Sequence, residues 1–146
     1  MIRVAPFAMD DARVIAPQDA QLRDWPSDMT PHLRALAGKG RAFTLRNDGR
    51  PIAIMGVMEV HREAATAWAM IGRGCWGHMG DMTRICREYL DDQPYRRIDM
   101  LVRASFAAGQ RWARRLGFER EAVLRAWTPD GEDMMMFARI RENGHG

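Results

Sequence analysis

Residues 72–77 read Gly-Arg-Gly-Cys-Trp-Gly, a G-x-G-x-x-G run between the apolar stretch "ATAWAMI" and an amphipathic segment. Glycines after a strand let successive backbone N–H groups turn toward a ligand, and the N-terminus of a following helix favours an anion. Arg73 adds a guanidinium suited to a charge-assisted bond with a phosphate. The chemistry implied is capture of a phosphate by main-chain donors. A plainer reading fits the same residues: Gly72, Gly74, Gly77 and Gly80 let the chain turn sharply beside the bulk of Trp76.

A dinucleotide site needs more than this run. It requires a βαβ unit whose second strand ends in an acidic residue. Here that strand ends at Arg103, Asp91 and Asp92 fall where the helix stops, and the upstream strand belongs to an antiparallel meander. The dinucleotide reading is set aside. His32 and His78 show no ligand spacing with Cys75 or Cys86, so no metal site is expected. His78 instead falls near the helix N-terminus as a polar lining residue. The segment "RWARR" at 111–115 comes nearest to a basic stripe, and it reads as a solvated helix face. No specific nucleic-acid partner is expected.

The elements that must hold the glycine bend follow from periodicity and punctuation. "IRVAPF" reads as a strand, and Asp10 or Asp11 suits the cap of a helix running to Ala16 before Pro17. Thr30, Pro31 and Gly38 punctuate a second helix. "RAFTLR" and "PIAIMGVMEVH" flank an Asp-Gly turn, the strongest short hairpin signal. A further turn at residues 62–65 leads into "ATAWAMI". Beyond the glycines, Met82, Ile85, Cys86, Tyr89 and Leu90 recur at helical spacing on one stripe. "RRIDMLVR" alternates as a strand, and a helix from about Ser105 closes on Gly117. "FEREAVLRAW" and "EDMMMFARI" form a final hairpin around "TPDG". The order is β-α-α-β-β-β-α-β-α-β-β, which predicts a mixed α/β sheet with helices on both faces. The strands on either side of the middle helix should be parallel neighbours.

The 146 residues suit one domain, expected over 1–140, with a loose tail at 141–146. A 47% hydrophobic and 28% charged composition belongs to a globular chain rather than a disordered one. No apolar run is long enough for a membrane span, and the first residues lack the apolar core and cleavage site of a secretory signal. Two cysteines without C-x-x-C spacing fit a reducing, cytoplasmic setting. The net charge of +3 is modest, and all but one of the 22 basic residues are arginine, spread along the chain.

At "WARRLGFEREAVLRAWTPDGEDMMMFARI" the chain resembles the C-terminal half of the GNAT N-acetyltransferase superfamily, in which a helix leads through Leu-Gly-Phe to a closing hairpin. Leu116-Gly117-Phe118 matches that motif, and the element order fits the superfamily from Ile2 to about Ile140. The likeness is strongest to small GNAT-like proteins encoded by bacteriophages, some of them internal virion proteins. The resemblance implies a GNAT-like mixed sheet with splayed central parallel strands. It also implies acetyl-CoA as cosubstrate and an amine as acceptor, on a small molecule, a protein N-terminus or a lysine. Its pantetheine would pair with the backbone of residues 67–71, Met70 and Ile71 among them. Its pyrophosphate would sit on the loop 72–79, with Arg73, Gly74, Gly77 and His78 as cofactor-binding residues. Glu59 and His61, alternating onto one strand face, are the implied base, with Glu63 beside them.

The pattern departs from the superfamily in two places. Its loop reads Gln/Arg-x-x-Gly-x-Gly/Ala. A start at Arg73 puts Trp76 at the first glycine, and a start at Gly74 recovers Gly77 but ends on Met79. Phe106 and Ala113 stand where many members carry Asn and the Tyr that serves as general acid, leaving Tyr89 and Tyr95 as the only phenols. Two functions follow as expectations: an acetyltransferase, and a phage structural protein that keeps the fold without catalysis. A third, lesser one is a regulator that binds coenzyme A or another anion. Virion proteins and a second copy of the chain are the macromolecular partners allowed for; a membrane is not.

Overall fold

Asp48 and Gly49 have φ of +51° and +84°, so both central residues of the first hairpin turn are left-handed, as a tight two-residue turn requires. They join β2 (Gly40–Asn47) to β3 (Arg50–His61), with Asn47 opposite Arg50. This computed structural model describes residues 1–15 and 40–141; the second helix expected around Thr30, with Trp25 and His32, lies outside them. The remaining elements are β1 (Ile2–Pro6), a helical turn α1 (Asp11–Val14), β4 (Ala64–Ile71), a 3-10 turn (Arg73–Cys75), α2 (Met79–Asp91), β5 (Arg97–Arg103), α3 (Ala107–Arg115), β6 (Glu119–Leu124) and β7 (Met134–Ile140).

The strands form one seven-stranded mixed sheet in the order β1-β2-β3-β4-β5-β7-β6. The β4–β5 pair is parallel, as the sequence predicts for strands flanking a helix. It is also short. Only Ala64, Ala65 and Thr66 pair, with Arg97, Ile98 and Asp99, although the strands have eight and seven residues. The closing hairpin inserts β7 between β5 and β6, with seven antiparallel pairs from Arg97–Ile140 to Arg103–Met134.

The chain divides into two compact units, residues 1–59 with 67–82, and residues 60–66 with 83–146. In the first, Ile15, Ile54 and Met70 form a buried cluster against which Phe7, Ala12 and Trp68 pack. Asp11 ties α1 to the sheet rather than capping it. Its carboxylate is buried and accepts from the Ala8 N–H, from Thr44 Oγ1 at 2.7 Å and from Arg46 Nη2 at 2.8 Å. Asp10 makes no capping bond. The Thr44 and Arg46 bonds span more than thirty residues, which propensity cannot anticipate.

In the second unit, α3 ends in a Schellman motif. The Phe118 N–H reaches the Ala113 carbonyl, the Gly117 N–H reaches that of Arg114, and Gly117 sits at φ +95°. That turn delivers Phe118 into a core with Ala113, Leu116 and Phe137. Leu116-Gly117-Phe118 is therefore a helix stop that also plants an aromatic anchor.

Candidate functional site

The loop after β4 begins from an irregularity in β3. The β2–β3 register jumps between Leu45–Ala53 and Arg46–Pro51, leaving Ile52 without a partner on β2. Pro51 has no N–H to give to a ladder, which suits a bulge. The Ile52 carbonyl accepts the Gly72 N–H at 2.9 Å and the Cys75 thiol at 3.2 Å. These bonds fold residues 73–75 into a 3-10 turn with Cys75 fully buried. Burial pushes the Cys75 thiol up to about 11, marking it as a donor and not a nucleophile.

The four glycines of the bend do different work. A side chain at Gly74 would strike Ile52 Cγ2 at 2.9 Å, so Gly74 is required by packing. Gly77 is left-handed at φ +88° and faces open space; Gly80, in the first turn of α2, also faces open space. Among the described residues the N–H groups of Gly77 and Gly80 make no hydrogen bond, whereas those of Gly72, Cys75, Trp76 and His78 are committed inside the loop. Two unshielded main-chain donors thus stand at the start of a thirteen-residue helix, a disposition suited to anion capture. Trp76 is exposed and leaves them uncovered.

The implied site residues fall on this frame as follows. Met70 and Ile71 end β4 with buried side chains. Arg73 is exposed on the 3-10 turn, where Arg73, Gly72 and Gly74 line a cavity of about 460 Å³ with Arg50, Asn47 and Ile52. His78 lies with Nε2 3.3 Å from the Asn47 amide. Glu59 and His61 sit two positions apart near the end of β3, both exposed. His61 Nδ1 accepts the Glu63 N–H at 3.1 Å, an arrangement that leaves Nε2 as the ring's donor. Ala113 is fully buried in the core of the second unit. Trp112 is half-buried and donates to Thr83 Oγ1 at 2.9 Å, a packing role rather than a cage. Among the described residues no group of His, Cys, Asp and Glu could hold a metal, and no helix is long and apolar enough to cross a membrane.

The sequence reading missed Ile52, whose carbonyl organises the loop by accepting from Gly72 and Cys75, and the Arg103–Asp130–Glu132 cluster at the end of β5. Pro51 was the one available signal for the first. The second had none, since its members are 27 and 29 residues apart.

The sequence matches no family model and no curated protein. Its fold is similar to several solved structures. The ribosomal-protein-S18-alanine N-acetyltransferase from Escherichia coli superposes with a TM-score of 0.75 at 20% identity, over 100% of this chain and 98% of that one. Ard1 from Thermoplasma volcanium gives 0.77 at 13%, over 97% and 99%. The ribosomal-protein-S5-alanine acetyltransferase from Vibrio fischeri gives 0.74 at 17%, over 99% and 96%. The chain has the GNAT-like α/β fold of these N-acetyltransferases.

Proposed function

We propose that this chain takes acetyl-CoA at the loop between β4 and α2 and transfers the acetyl group to an amine, on a small molecule, a lysine or a protein N-terminus, in the cytoplasm. One observation carries the reading: the open N–H groups of Gly77 and Gly80 follow a strand whose parallel pairing stops after Thr66. Open space beside both glycines, where a Cβ would meet nothing within 4 Å, leaves room for such a ligand. Bound acetyl-CoA would supply an acyl thioester activated toward amines. The main chain of Met70 and Ile71 and the donors of Gly77 and Gly80 would hold it, with Gly74, Arg73 and His78 at the loop. Glu59 is the favoured base, because a carboxylate can accept a proton directly. His61 would first have to release the Glu63 N–H, so it suits an orienting donor through Nε2.

A second reading is that the fold persists without catalysis, as in a phage virion protein. The burial of Ala113 favours it, since a methyl group in a packed core can protonate no leaving thiolate.

Calorimetry with acetyl-CoA tests the first reading. Saturable binding is expected for the wild type, and Gly77→Asp should weaken it strongly by putting a carboxylate over the donors. Gly80→Ala discriminates further. Alanine suits a helix better than glycine and should add about 0.5–1 kcal/mol of stability, yet its methyl should weaken the cofactor. A more stable variant that binds acetyl-CoA as well as the wild type would remove this loop from the site. Binding without transfer to a broad amine panel would leave the second reading.

A further inference from the structure

The second unit holds a cavity unrelated to the glycine loop. It lies where α2 ends, β5 begins and β7 ends, and it has a volume of about 250 Å³. Three arginines line it, Arg96, Arg139 and Arg141, with one acidic residue, Asp91. We infer that it is a binding site for a compact oxyanion, the phosphate or carboxylate group of a small molecule.

Two of the three arginines are already fixed in place. Arg139 Nη2 is bonded to the Asp91 carboxylate, and its guanidinium lies 5.9 Å from the centre of the Phe118 ring. Arg141 Nη2 donates to the Asp91 carbonyl at 2.9 Å and to that of Gln93 at 2.7 Å. A guanidinium carries five N–H donors, so each keeps donors to offer. These tie-downs account for the placement of Arg139 and Arg141, but not for Arg96. Arg96 is exposed, and its guanidinium makes no hydrogen bond or ion pair among the described residues.

Charge decides what the cavity would hold. Three cations around one small space, with a single carboxylate already engaged, leave an excess of two positive charges. Like charges held close together repel, and an anion between them removes that cost. Because Arg139 and Arg141 are anchored beforehand, little side-chain entropy is lost when the anion arrives. Leu90 and Ile98, both buried, close the cavity on an apolar side. The space therefore suits an oxyanion with at most a short apolar attachment. None of these residues belongs to the proposed acetyl-CoA loop, so the inference stands apart from that reading.

The test is titration of the full chain, followed by amide NMR and calorimetry at constant ionic strength, with inorganic phosphate in one arm and acetate in the other. Saturable binding is expected, with shifts gathered at residues 90–98 and 139–141. Arg96→Ala should keep the wild-type melting temperature and lose affinity about tenfold or more, the worth of one charge-assisted contact. Arg96→Lys should fall between, having the charge without the planar fork. Preference for phosphate over acetate would point to a phosphate ester, and equal affinity to a carboxylate. The inference is overturned if neither anion saturates, if shifts scatter over arginines elsewhere, or if Arg96→Ala binds as the wild type does.

Discussion

Thr66 Oγ1 donates a hydrogen bond of 2.8 Å to Asp99 Oδ1 across the last pair of the β4–β5 ladder. The other carboxylate oxygen accepts from Arg97 Nε at 3.3 Å. The parallel pairing thus closes on a side-chain bond at the position where backbone pairing ends. A hydrogen bond to a partly buried carboxylate has more to lose than one in water, because the freed oxygen is only partly rehydrated.

Thr66→Val keeps the shape and removes the donor. It should destabilise the protein by about 1–2 kcal/mol in urea unfolding. Asp99→Asn should cost a similar amount, and the double variant less than the sum, with a coupling of about 1 kcal/mol. Strict additivity would mean that the two side chains do not act as a pair.

Arg103 makes a second prediction. Its side chain is 4% exposed, and Nη1 donates to Glu132 Oε2 at 2.8 Å and to Asp130 Oδ1 at 3.3 Å. Glu132 Oε1 also accepts the Ser105 N–H at 2.8 Å, and Thr128 Oγ1 donates to Asp130. The end of β5 is thereby fastened to the β6–β7 connection. The Thr128 hydroxyl, and then Arg103, hold Asp130 below the usual carboxylate range; Ser105, and then Arg103, do so for Glu132. Arg103→Ala takes the cation away from both carboxylates, leaving Asp130 to Thr128 and Glu132 to Ser105, and should lower the melting temperature at neutral pH. Groups with depressed folded values stabilise above their unfolded values and lose that contribution as pH falls through the folded ones. The gap in melting temperature between wild type and variant should therefore be constant from pH 7 to about 5 and narrow below about 4. A gap independent of pH would assign the loss to packing alone.

What the sequence could disclose divides along physical lines. The Asp48-Gly49 turn, the Gly117 stop and the apolar stripe of α2 are local, set by φ preferences and spacing, and each is found where expected. The parallel neighbours β4 and β5 follow from a chain-connection rule. The insertion of β7 beside β5 is not local, because a hairpin pattern does not say which of its strands meets the sheet. Helix boundaries moved for the same reason. The sequence predicts α3 from about Ser105; the Ser105 N–H is taken by Glu132, and the helix begins at Ala107. At the glycine bend, spacing alone could not tell Gly74, held by contact with Ile52, from Gly77 and Gly80, which face open space. That distinction belongs to packing.

Cys75 makes the loop's closure measurable. Its thiol donates to the Ile52 carbonyl that also receives the Gly72 N–H, so alkylation requires the 3-10 turn to open. With the thiol at about 11, roughly one molecule in a thousand carries a thiolate at pH 8. Labelling of the Cys75 peptide, followed by mass spectrometry, should run far below the rate of an unfolded control and should report local opening. A raised folded value stabilises fully below the unfolded value of 9.0 and is lost as pH climbs toward 11. Wild type should therefore weaken through that window more steeply than Cys75→Ala. If the loop is where acetyl-CoA binds, saturating cofactor should slow labelling further, because a ligand that favours the closed turn lowers the open population. Labelling at the unfolded rate would mean the turn is not closed on Ile52. Slow labelling that acetyl-CoA leaves unchanged would keep the closed turn and remove the cofactor from it.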